Sequence, residues 1–173
     1  MLGVFLYMSK IVKAVNIRRG VFETNSSSSH SVTVRNGGES DTRFFHVDDE
    51  NRVVVTPDEY GWGYEVLTEP DQKLSYLVTM VMQRLNDTYS VIDDELLHED
   101  EDFKKILECI TSYTDYKDVV LADPIYKSGR FDFYIDHQSY YGSLDEFLSD
   151  WGVTMNQLLF DTGVSIIIDN DNK

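Results

Sequence analysis

Three helix-start signatures fix the layout of this chain more tightly than any other feature. Thr68-Glu69-Pro70-Asp71 offers a capping hydroxyl, a proline with no early amide to leave unpaired, and an acid at the positive helix end. Ser143-Leu144-Asp145-Glu146 and Thr154-Met155-Asn156-Gln157 both match the capping box, and Gly152 separates the two short helices they start. Behind the first signature, Leu74, Leu77, Val78, Val81 and Leu85 recur at the spacing of one helical face. A second helical stretch is expected over residues 102–110, with Phe103, Ile106, Leu107 and Ile110 on one side. Between these helices lie segments with strand character: residues 10–17, 31–35, 43–47, 52–56, 116–122, 131–136 and 164–168. Asn36-Gly37-Gly38 is a turn signal, and Asp48-Asp49-Glu50-Asn51 predicts a hairpin between two of the strands. The resulting order predicts an α+β fold, a mostly antiparallel sheet with helices packed on one face.

Charge narrows the function classes. Lys and Arg total 15 against 31 Asp and Glu, a formal net charge of -16 over 173 residues. Direct nucleic-acid binding is therefore not expected, nor is docking on an anionic membrane. No apolar run approaches the ~20 residues that span a bilayer. Met8-Ser9-Lys10 reads as a translation start, so residues 1–8 are expected to be an N-terminal extension and residues 9–173 one globular domain. Cys109 is the one cysteine, which leaves no internal disulfide. It is expected to pack within a helix, in a protein of the reducing cytoplasm. The acidic runs Asp93-Asp94-Glu95 and Glu99-Asp100-Glu101-Asp102 are expected to be a solvated loop or helix start.

Phe22-Glu23-Thr24-Asn25-Ser26-Ser27-Ser28-Ser29-His30-Ser31 is the most unusual block, and the local pattern predicts a loop. The hydroxyls of Ser26, Ser27, Ser28 and Ser29, the amide of Asn25 and the backbone amides there can hold a phosphate or another oxyanion. His30 can act as general acid or base near neutral pH, with Glu23 orienting it or ligating a metal. The plain alternative is a serine-rich turn bonded to its own backbone. A second candidate is Ile135-Asp136-His137-Gln138-Ser139, which follows an alternating strand. Asp136, His137 and Ser139 there can supply ligands or an acid/base pair, provided the backbone turns, since adjacent strand residues face opposite ways. A divalent metal could draw on His30, on Asp136 or His137, and on Asp169 or Asp171. His46 is expected to pack in a strand, and His98 to be exposed among acids. Tyr60-Gly61-Trp62-Gly63-Tyr64 offers either an aromatic platform for a ring or a plug closing the sheet. Lys73 is either the positive group near an anionic ligand or a surface lysine.

Taken together, Arg19 with Phe22–Ser31, Tyr60–Tyr64, Lys73-Leu74-Ser75-Tyr76, Ile135–Ser139 and the closing Ile166–Asn172 resemble an uncharacterised family of phage and prophage proteins. The resemblance covers scattered blocks along most of the chain and transfers no activity, cofactor or catalytic residue. It implies a phage-encoded or phage-derived protein acting in the host cytoplasm, and it tips the Ser-His block towards a functional site.

Three functions follow. In the first, Ser26–Ser29, His30, Asp136 and His137 meet in one cleft with Trp62 and Lys73 on its rim. That cleft would bind or process a small phosphorylated or nucleotide-like ligand, with His30 as acid/base. The second is an acidic, non-enzymatic inhibitor whose carboxylates stand in for phosphates in a host nuclease, polymerase or defence complex. The third, a structural accessory protein, ranks last because the chain has no coiled coil or fibre repeat.

Overall fold

The computed structural model describes residues 28–34, 45–89, 91–122, 125–126, 133–136 and 142–170. The elements run β1 (Ser28–Val34), β2 (Val53–Val55), β3 (Glu59–Tyr60), β4 (Glu65–Leu67), α1 (Pro70–Asn86), β5 (Val91–Ile92), α2 (Asp94–Glu99), α3 (Glu101–Tyr113), β6 (Val119–Leu121), β7 (Ile125–Tyr126), β8 (Tyr134–Ile135), α4 (Leu144–Trp151), α5 (Met155–Phe160) and β9 (Val164–Asn170). The fold is α+β, as the order of periodic segments predicts.

The main sheet is antiparallel, in the order β1-β9-β4. β9 is central, and its alternation explains why. Val164, Ile166 and Ile168 are buried, while Ser165, Ile167 and Asp169 between them are partly exposed. Leu67 lies opposite Ile166 and is buried with it. Two smaller pairings are parallel, β2 with β6 and β3 with β8, and β5 pairs antiparallel with β7. Of the expected hairpin over residues 43–56, the described residues from Phe45 onward form a single bridge, between Val47 and Val53. The Asp48 carboxylate accepts the Glu50 and Arg52 amides and so closes the turn, with Asn51 at φ 63°. Two-residue strands such as β5 and β7 carry too short a period to be read from sequence.

α1 is the organising helix. Leu74, Leu77, Val78 and Val81 are buried as the stripe predicts, joined by Tyr76, Met80 and Met82. Glu69, one residue later than expected, takes the N-cap position, and the Gln72 side chain accepts the Thr68 and Glu69 amides. The acidic runs resolve into two consecutive helix starts. Asp93 caps α2 by accepting the Leu96 amide, and Asp100 caps α3 by accepting the Asp102 and Phe103 amides. Ser143 and Thr154 cap α4 and α5, and Gly152 ends α4 in the left-handed conformation. Ser143, Thr154 and Gly152 are the three of these signals predicted at these residues. Among the described residues no helix is long and apolar enough to cross a membrane.

Candidate functional site

The expected site residues fall into three groups. Glu23, Asn25, Ser26, Ser27, His137 and Ser139 lie outside the described residues, as do the segment 10–17 and Asp171. Ser28, Ser29 and His30 are described as backbone, and here the loop expectation is corrected. β1 begins at Ser28, three residues before the alternating segment. The cause is β9, which runs on to Asn170 and offers a ladder partner to each residue: Ser28 pairs with Asn170, Ser29 with Asp169 and His30 with Ile168. A continuous ladder outweighs the weak strand preference of serine. Asp136, Trp62 and Lys73 form the third group.

Lys73 is not at a rim. It is fully buried, and its Nζ donates to the carbonyl oxygens of Asp161 at 3.3 Å and Val164 at 3.2 Å. Burial pushes its pKa down to about 8, against the pull of Asp161 and Glu69. The ammonium ties the turn between α5 and β9 to α1, which is a structural task. His46 is exposed rather than packed. His98, expected to be exposed, is half-buried between two acceptors: Nδ1 is 2.6 Å from the Asp94 carbonyl and Nε2 is 2.7 Å from the Asp118 carboxylate. Only a doubly protonated ring can donate to both. Burial opposes that charge, but Asp118 and Asp94 outweigh it and hold the pKa above the ordinary histidine value. Cys109 packs beside the core, as expected, and burial raises its thiol to about 11, away from nucleophilic use.

The feature that faces outward is the Tyr60–Tyr64 segment. Tyr60 is buried, its ring 5.1 Å from that of Tyr76, and its hydroxyl donates to Ser75, which donates on to the Thr56 carbonyl. Gly61 then takes φ 105°, a conformation that residues with a side chain rarely adopt. The chain reverses there, so the anchored Tyr60 is followed by an exposed Trp62, with 70% of its surface in solvent. The plug reading is thereby overturned. The indole lies beside Tyr134 of β8, centroids 6.3 Å apart and planes at 33°.

β8 itself is held from two sides. The Tyr134 and Asp136 amides donate to the carbonyls of Asp58 and Tyr60, at 3.2 and 3.1 Å. Ile135 between them turns both its groups the other way, to the Gln83 side chain: its amide donates to Oε1 at 2.6 Å and its carbonyl accepts from Nε2 at 3.0 Å. The α1 glutamine thus acts as a substitute strand. Tyr60 and Ile135 are buried on one face of the pair. Glu59, Tyr134 and Asp136 lie on the other by strand alternation. Tyr134 and Glu59 were missed as site residues. The alternation of Phe133, Tyr134, Ile135 and Asp136 carried the signal, but the partner strand did not show itself in two residues.

Topology gathers the separate blocks. β1 begins, β9 ends and β4 begins at one end of the main sheet. Gly61–Tyr64 joins that end to the finish of β3, and β8 finishes beside it, where the chain leaves for His137. Among the described residues no group of three or more His, Cys, Asp or Glu can hold a metal ion. A surface depression of about 420 Å³ at the C-terminal end of α3 is lined by Ser112, Tyr113, Thr114, Asp115 and Tyr116, and includes none of the expected site residues. Searches against protein-family models, curated proteins and solved structures find no match to this chain.

Proposed function

We infer that the protein is a phage-type, non-enzymatic interaction protein that acts in the host cytoplasm by occupying a basic surface of a host nucleic-acid-handling protein. The observation that carries this reading is the state of the basic side chains. Among the described residues, Arg52 is paired with Asp48, Arg84 with Asp100 and Asp102, Lys104 with Glu101, and Lys105 with Asp102 and Asp145. Lys73 is buried on carbonyls. Among the described residues, which carry six of the 15 Lys and Arg, few cations remain to receive a phosphate, and the -16 net charge favours a positive partner. The test is capture from bacterial lysate on the immobilised protein, followed by elution with duplex DNA. A nucleic-acid-handling protein that DNA displaces supports the reading. Retention of none overturns it.

A second reading, a site that binds or processes a small phosphorylated or nucleotide-like ligand, is favoured by the convergence of the sequence blocks at one end of the sheet. The residues proposed for it are Glu23, Asn25, Ser26–Ser29, His30, Asp136, His137 and Ser139, with Trp62 stacking a base. The carboxylates nearby would require a divalent cation between them and the phosphates. Thermal-shift screening of nucleotides with and without divalent metals checks it. A shift of several degrees that vanishes in His30→Ala supports it, and no shift with any of them removes it.

A further inference from the structure

We propose that Trp62 is the docking point for an arginine side chain of the partner protein, the guanidinium lying on the indole face beside Tyr134 with Glu59 taking its charge. The proposal rests on the interaction-protein reading and adds the chemistry of one contact.

The Trp62 indole has 70% of its surface in water, and Tyr64 two residues on is 63% exposed, so the segment presents two aromatic side chains to solvent after burying Tyr60. The glycine at φ 105° turns the indole out. Its neighbour is fixed in place: Tyr134 stands beside it, on a strand held by β3 on one side and Gln83 on the other. An exposed aromatic surface suits a flat ligand group.

The charge of that group follows from the surroundings. No Lys or Arg occurs from Val53 to Gln72, where Asp58, Glu59, Glu65, Glu69 and Asp71 lie, nor from Phe131 to Asn172. Those two stretches supply β2, β3, β4, β8 and β9. Glu59 is exposed and stands opposite Tyr134 in the ladder, so the backbones of the two residues are one strand spacing, ~4.8 Å, apart and their side chains leave the same face. Burial and the neighbouring Asp58 both push the Glu65 pKa up, so these carboxylates repel one another. Among the described residues of these two stretches every formal charge is a carboxylate, and an aromatic face beside carboxylates attracts a cation and repels a phosphate. Among cations, guanidinium is planar, weakly hydrated and able to stack on a ring while donating to a carboxylate; ammonium does only the second.

The experiment is an NMR titration of the two indole N–H signals, Trp62 and Trp151, assigned by Trp62→Ala. The probes are acetyl-Arg-Gly-Arg-amide and its lysine and citrulline counterparts, with magnesium-ATP as a fourth arm. The expected result is a saturable shift of the Trp62 signal with the arginine peptide, roughly fivefold weaker binding for lysine, none for citrulline, and weakening in Glu59→Gln. An unmoved Trp151 signal shows that each variant keeps its fold. Equal shifts with arginine and citrulline overturn the proposal, as does a Trp62 signal that moves with magnesium-ATP alone or with no probe. Lysate capture separates the two levels. If Trp62→Ala still retains a DNA-displaceable partner as well as wild type, the arginine contact is wrong and the broader reading stands. If the arginine peptide binds at Trp62 but no nucleic-acid-handling protein is captured, the contact stands and the broader reading falls.

Discussion

The start of α3 and the Trp62 end of the sheet are both rich in acids, and they treat them in opposite ways. At α3, Asp102 is 5% exposed and surrounded by donors: Arg84 and Lys105 pair with it, and the Leu144 amide donates to it at 3.1 Å. Asp100 caps the helix while holding Arg84. Burial raises the Asp102 pKa, but these donors win and hold it below the ordinary carboxylate range. Around Trp62, burial and then the Asp58 charge hold Glu65 above its ordinary range. The same residue types are fastened into the fold in one place and left facing outward in the other. Acidic composition alone therefore says little about function; which carboxylates are paired with cations says more.

The largest expected effect tests the satisfied side. Asp102→Ala takes one of two carboxylates from each of Arg84 and Lys105 and the acceptor from the Leu144 amide, and should cost about 3 kcal/mol in urea unfolding. A loss under ~1 kcal/mol would make the network a surface ornament and erase the contrast.

Lys73 comes next, as a buried charge on carbonyls alone. Its folded pKa of about 8 lies below the ordinary 10.5, so the unfolded chain binds more protons between those values. Stability should therefore rise with pH across that window, by roughly 3 kcal/mol at most. Lys73→Met should remove this slope when stability is measured at intervals from pH 7.5 to 10.5.

His98 has the opposite sign. Its folded pKa is raised, so its contribution is complete below the unfolded value near 6.5 and is lost as pH rises through the folded pKa. His98→Gln should lower stability by about 1 kcal/mol at pH 5.5 and by less at pH 9. A constant difference across pH would mean that the ring does not hold Asp94 and Asp118 as an imidazolium.

The smallest effect sharpens the exposed side. Glu65→Gln removes a carboxylate disfavoured by burial and by Asp58 and should stabilise the protein by a few tenths of a kcal/mol at pH 7, a gain that fades as pH falls through the folded pKa and is gone below the unfolded value of 4.5. Destabilisation at neutral pH would reveal a cation that balances Glu65.

Much of the scaffold was legible in the sequence. Ser143, Gly152 and Thr154 act through contacts within four residues, so their role can be read locally. The α1 stripe also survives because a whole helix face repeats it. The parallel pairing of β3 with β8 joins residues 75 positions apart through two rungs, and no local pattern encodes that choice. The same holds for Lys73, whose carbonyl partners lie 88 and 91 residues away. Ser28 and Ser29 depart from the loop expectation for a related reason: β1 starts at Ser28 because β9 is long enough to pair with it. Trp62 was legible as a candidate, but its outward orientation depends on one glycine dihedral and on Tyr134.

Site-resolved carboxyl titration by NMR tests the central contrast most directly. The account predicts that Glu65 titrates above 4.5 and Asp102 below 3.8 in the same sample. Glu65 at or below its ordinary value, with Asp102 at or above its own, would contradict it.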